Sequence, residues 1–111
     1  MNINNFTWPG YSATVEDQVL RDFLVLDIQA NQRYAQRFLQ AIQVQIDSDT
    51  HEQNENQLAF GGNMFLCKLS ETGATIDLLD DAEDFGEAKH YSLEQLQTAV
   101  NAWIHFLKTT S

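Results

Sequence analysis

Six carboxylates stand within eleven residues of the stretch TIDLLDDAEDFGEAKHYSL: Asp77, Asp80, Asp81, Glu83, Asp84 and Glu87. Carboxylates at that density can wrap a cation, divide acid and base roles, or present an anionic surface to a positive partner. A calcium loop of the EF-hand kind has ligands at its first, third and fifth positions, glycine at the sixth and a bidentate Glu at the twelfth. With Gly86 as the sixth residue, Asp81 and Glu83 fall on the first and third positions. The fifth is then Phe85, which has no ligand atom, and the twelfth is Ser92. The EF-hand reading fails. Acid–base catalysis needs two carboxyl groups held in a cleft with separated pKa values. The run reads as a loop, with no sign of burial.

The other reactive side chains are scattered. Cys67, His51, His90 and His105 share no zinc-binding spacing. Cys67 sits in the middle of an apolar strand pattern and reads as a core thiol, not a nucleophile. There is no Gly-rich phosphate loop, no G-x-S-x-G and no dinucleotide fingerprint. The expectation is a protein without catalytic residue, metal or cofactor. Aromatic residues set in a charged field are typical anchors of protein interfaces, and Phe85 and Tyr91 stand in or beside the acids, with His90. The expected partner-binding residues are therefore Asp77, Asp80, Asp81, Glu83, Asp84, Phe85, Glu87, His90 and Tyr91. The competing reading tucks Phe85 into the core and leaves the acids as a solvated loop.

Charge sharpens the choice of partner. The 111 residues carry 16 acids against 6 bases, a net charge of −10. Up to Ile46 there are four acids and three arginines, which leaves −1; from Asp47 onward there are twelve acids and three lysines, which leaves −9. Such a field repels nucleic acid and anionic lipid and speeds the approach of a basic protein. The length suits one domain spanning 1–111, and no run of 18 apolar residues exists to span a membrane. No secretory signal is recognisable, and a lone cysteine fits a reducing compartment, so a cytoplasmic protein is expected.

The elements that must position these residues follow from periodicity. Phe6, Trp8 and Tyr11 flank a Pro9–Gly10 turn signal, and the aromatics are expected to pack back on the body. From Leu20 to Ile46 apolar residues recur at three- and four-residue steps, with Asp27 alone breaking the stripe. This predicts a long helical region that starts at Thr14 with Asp17 and breaks near Ala30–Gln32; FLVLDI alone has the ambiguous period of a strand. DSDTHEQNENQ reads as an exposed loop. Gly61–Gly62 then serve as a hinge into two apolar runs that flank SETG, a hairpin with Gly73 in its turn. Phe65, Cys67 and Leu69 share one face of its first strand, and Ile76 and Leu78 one face of its second. Met64 and Leu66 allow that first strand to be covered on both sides. The last helix is the clearest element: Ser92 and Gln95 form a capping box ahead of a stripe of Leu93, Leu96, Ala99, Val100, Trp103, Ile104 and Leu107. The fold class is α+β, with a long N-terminal helical region, an antiparallel β-hairpin open to extension into a larger sheet, and a C-terminal amphipathic helix.

The segments MFLCKL, TIDLL, DDAEDFGEAKH and YSLEQLQTAVNAWIHFLK together resemble a pattern seen in small acidic bacterial immunity proteins, including those of contact-dependent inhibition systems. The resemblance lies in the C-terminal half. It implies a non-enzymatic inhibitor that binds the toxic domain of a cognate effector in the cytosol, often a nuclease with a basic cleft. The acids from Asp77 to Glu87 would then steer and contact the partner, with Phe85 and Tyr91 as anchors. Asp47, Asp49, Glu52 and Glu55 would offer a second acidic site. A monomer is expected. Two alternatives share parts of this physics: a phage-type anti-defence protein that mimics nucleic acid, and a small enzymatic or ligand-binding domain built on the acids and His90.

Overall fold

The computed structural model describes residues 6–47, 58–70, 72–79 and 87–110. Three helices lie on one face of a four-stranded antiparallel sheet, an α+β arrangement. Helix α1 spans Val15–Phe23, α2 Gln32–Ile46 and α3 Leu93–Thr110; strands β1 (Leu58–Gly61), β2 (Phe65–Ser70), β3 (Gly73–Leu78) and β4 (Lys89–Tyr91) follow one another across the sheet in chain order. Among the described residues no helix is long and apolar enough to cross a membrane.

The N-terminal segment docks as its aromatics imply. Phe6 and Trp8 are buried, and the Tyr11 amide closes the Pro9–Gly10 turn onto the Trp8 carbonyl at 2.9 Å. The Phe6 ring meets Trp103 edge-on at 4.8 Å between centroids, and Arg21 Nε donates to the Phe6 carbonyl at 2.8 Å. Helix α1 begins where the cap pattern puts it, with the Asp17 amide donating to Thr14 Oγ1 at 3.2 Å.

The predicted long helical region is two helices joined by a wider coil. Leu24–Ile28 form a π-helical turn, closed by the Gln29 amide on the Leu24 carbonyl at 2.8 Å. FLVLDI is thus helical, not a strand. Gln29 then takes a positive φ of 61°, which ends the coil, and Asn31 caps α2 by accepting from the Tyr34 amide at 3.0 Å. An inserted π turn rotates the stripe, so Leu24, Asp27 and Ile28 all face inward.

The sheet carries the period-two pattern on one side only. Phe65, Cys67 and Leu69 are buried and pair with Leu78, Ile76 and Ala74 across β2–β3. The opposite face bears half-buried Leu66 and exposed Lys68 and Ser70, so β2 is covered by helices on one face alone. Two strands go beyond the expected hairpin. β1 pairs Phe60 with Cys67, and its Gly61 amide is satisfied by the Tyr34 hydroxyl of α2 at 2.7 Å. β4 pairs Tyr91 with Ala74 and His90 with Thr75. Helix α3 starts on the predicted capping box: Ser92 Oγ accepts from the Gln95 amide at 3.0 Å, and Gln95 Oε1 accepts from the Ser92 amide at 2.8 Å.

Cys67 is fully buried, and desolvation pushes its thiol up to about 12. Burial, and then the negative charge of Glu16, push the Tyr91 phenol up as well. Both groups stay neutral in the fold at a pH where the unfolded chain ionises them. The stability these two groups contribute is therefore fully present below about pH 8.5, the unfolded thiol range, and is lost as pH rises toward the folded values. The native protein is expected to react with a thiol-specific disulfide reagent at least about a hundredfold more slowly than the urea-unfolded chain. Equal rates for the two states would show that Cys67 is reached without unfolding.

Candidate functional site

The face of the sheet away from the helices holds two of the four described candidate residues, Asp77 and His90. Register places Ala59, Lys68, Thr75 and His90 in one row across all four strands, and Gly61, Leu66 and Asp77 in the next row. Asp77 and His90 are both exposed on this face. Asp77 also folds back locally, its Oδ1 accepting from the Leu78 amide at 2.9 Å. Glu87 is exposed just ahead of β4. Tyr91 is different: it points to the helical side, is 5% exposed, and its hydroxyl donates to the Glu16 carbonyl at 2.6 Å. Its ring is part of the protein's own core, so it offers no free contact surface. Asp80, Asp81, Glu83, Asp84 and Phe85 lie outside the described residues, as do Asp49, His51, Glu52 and Glu55 of the DSDTHEQNENQ segment. Asp47 is exposed at the end of α2.

One end of the face is built by a residue that periodicity marked only as an interruption. Asp27, 8% exposed, projects from the π turn into the β1–β2 connection. Its carboxyl oxygens accept from three successive amides: Asn63 at 2.9 Å, Met64 at 3.1 Å and Phe65 at 3.2 Å. Asn63 Nδ2 returns a bond to the Leu26 carbonyl at 2.9 Å. Gly61 makes the approach possible. Its φ is +102°, and a Cβ there would lie 2.6 Å from the Phe65 carbonyl oxygen and 3.1 Å from Asp27 Oδ2.

This clasp holds apolar side chains in solvent. Met64 is 48% exposed, Leu79 is 47% exposed, and the Leu79 amide donates to the Met64 carbonyl at 3.1 Å. Leu26, tied to Asn63, is 39% exposed. The sequence pattern offered Met64 as a sign of cover on a second strand face and did not single out Leu79, because a strand end looks the same whether its apolar side chain turns inward or outward; Met64 is in fact exposed. Asp77 lies two residues before Leu79, and Asp80 and Asp81 follow it directly in the chain.

The other end of the face is polar. An open groove of about 650 Å³ is lined by Lys68, Ser70, Thr72, Thr75, His90 and Ser92 with Gly73. It is shallow and hydroxyl-rich, unlike the enclosed apolar cavities that hold most small-molecule ligands. Among the described residues no three His, Cys, Asp or Glu side chains gather as metal ligands. No family model matches the chain, and neither a curated protein nor a solved structure is significantly similar to it, so the reading of this face rests on its own geometry.

Proposed function

We propose that this protein is a non-enzymatic inhibitor that binds a basic cleft on a cognate toxin domain, of the nuclease kind, in the manner of an immunity protein. The observation that carries the reading is the pairing of exposed Met64 and Leu79 beside Asp77, directly ahead of the acidic run. Protein interfaces place apolar anchors centrally and polar groups around them. A nuclease cleft has the converse layout in charge, with cations that ordinarily hold phosphate. Carboxylates from Asp77 to Glu87 compete for those cations, and the net charge of −10 speeds the encounter. Met64 and Leu79 take the anchoring role that the sequence pattern had offered to Tyr91. The inhibitor acts as a monomer in the cytosol, where a lone reduced Cys67 is stable.

The test is capture from the native host on tagged protein, washed at low and then high salt. The expected retained species is one basic protein whose isolated domain cleaves nucleic acid and is silenced on binding. Reversing Asp80, Asp81 and Asp84 to lysine is expected to slow association at least about tenfold and to flatten its salt dependence, with the circular dichroism spectrum unchanged. Met64→Ala with Leu79→Ala is expected to raise the dissociation rate instead. Unchanged affinity in the charge-reversed protein would remove the acidic run from the interface.

A further inference from the structure

At the hairpin end of the uncovered face, three donors stand in one row. Lys68 of β2 pairs with Thr75 of β3, and Thr75 pairs with His90 of β4. Side chains directly opposite one another on antiparallel strands have Cβ atoms about 5 Å apart. Lys68 and His90 are exposed, and Thr75 is half-buried between them. Among the described residues, none of the three side chains has a hydrogen-bonding or ion-pairing partner.

The neighbouring row supplies a floor. Ser70 pairs with Gly73, so a glycine stands where the next outward side chain would be. That glycine is required: its φ is +145°, and a Cβ would sit 2.6 Å from the Tyr91 carbonyl oxygen. With no side chain there, the surface sinks between Ser70 and Thr72 on one side and Ser92 on the other, and the groove of about 650 Å³ results. Ser70 and Thr72 are partly committed, their hydroxyls bonding each other at 3.0 Å and Ser70 Oγ donating to the Gly73 carbonyl at 3.2 Å. Ser92 Oγ accepts from the Gln95 amide at 3.0 Å, which leaves its own hydrogen available to a ligand.

We infer that this groove binds a single small oxyanion, a phosphoryl or carboxylate group, between Lys68, Thr75 and His90, with Ser92 at its lip. An ammonium with further N–H and O–H donors around an open floor matches the acceptor-only oxygens of such a group. The surroundings set the size limit. Asp77 lies two residues beyond Thr75 on the same face, and the whole chain carries −10. An extended polyanion meets that field along its whole length, whereas one oxyanion meets the donors alone. The inference is independent of the inhibitor reading, because the groove lies at the opposite end of β3 from Met64 and Leu79.

The experiment is an amide chemical-shift titration of the isotope-labelled full chain with sodium phosphate and, separately, sodium acetate, at constant ionic strength held by chloride. The expected result is saturable shifts centred on Lys68, Thr75, His90 and Ser92, with dissociation constants in the millimolar range. Saturation by phosphate alone identifies a phosphoryl site, by acetate alone a carboxylate site, and by both a general oxyanion site. Lys68→Met is expected to weaken binding about tenfold or more, as loss of a charge-assisted bond does. Thr75→Val keeps the β-branched shape of the strand and is expected to weaken it several-fold. Linear, unsaturable shifts with both anions would overturn the inference, as would the same affinity in Lys68→Met.

Discussion

Replacing Asp27 with alanine is expected to cost about 3 kcal/mol of stability, because three backbone donors lose their acceptor at once. The amides of Asn63, Met64 and Phe65 all donate to the Asp27 carboxyl group, at distances from 2.9 to 3.2 Å. The exposed Asn63 and Met64 amides can recover water, but that of buried Phe65 cannot do so freely. The lost bonds also release the β1–β2 connection from the π turn. An amide in place of the acid keeps one acceptor oxygen and turns its own N–H groups toward the same donors, so Asp27→Asn is expected to cost about 2 kcal/mol. Urea unfolding at unchanged m-value reads both. A loss below about 1 kcal/mol in Asp27→Ala would mean that water replaces the carboxyl group at little cost.

Trp103→Ala is expected to be the more damaging change, at about 3–5 kcal/mol. Trp103 is fully buried, meets Phe6 in a T-shaped contact at 4.8 Å between centroids, and stacks on Phe106 at 5.6 Å. Its Nε1 donates to the Gln29 carbonyl at 2.9 Å, at the residue that ends the π turn with positive φ. The indole therefore fills the core and also holds the α1–α2 junction in place. A cavity of that size, with an orphaned carbonyl beside it, removes a large share of the roughly 5–15 kcal/mol typical of a single domain. Trp103→Phe keeps most of the volume and loses the hydrogen bond, so about 1–2 kcal/mol is expected. The contrast between the two variants, read by chemical unfolding, separates packing from the bond. Equal losses in both would assign the whole effect to the Gln29 contact.

Asp27 acts on the candidate face from behind it, through the β1–β2 connection. Asp27 sets the turn that leaves Met64 exposed, and Met64 accepts the backbone bond that holds Leu79 beside it. If the inhibitor proposal holds, loosening the clasp weakens partner binding although Asp27 itself is almost wholly buried. The uncovered face combines two chemistries, separated along β3: apolar side chains beside acids at one end, and lysine, histidine and hydroxyls at the other.

Local signals were enough for much of the frame. The capping box at Ser92 and Gln95, the glycine turn at Gly73, the aromatic N-terminal segment and the inward faces of β2 and β3 each depend on residues a few positions apart. Such features are written in periodicity and cap chemistry, which the chain carries without knowing its neighbours. β1 and β4 were not legible in the same way. They are short, and a four- or three-residue strand exists only because a partner edge completes its hydrogen bonds. The π turn was equally hidden, since it differs from an α turn by one residue of register, and what selects it is the inward demand of Leu24, Asp27 and Ile28.

The site divides along the same line. Composition and spacing alone determined that the chain is strongly acidic, that the charge gathers from Asp47 onward, and that the acidic run lacks the ligand spacing of an EF-hand loop. The tertiary structure decided which side chains are free to use. Tyr91 and His90 are adjacent in sequence, yet alternation along β4 sends one into the core and the other to the surface. Asp27 looked like a fault in a helical stripe and is the acceptor for a turn 36 residues away. Whether a polar residue on an apolar face is a defect or a clasp depends on donors brought to it by another segment, and only the folded chain brings them together.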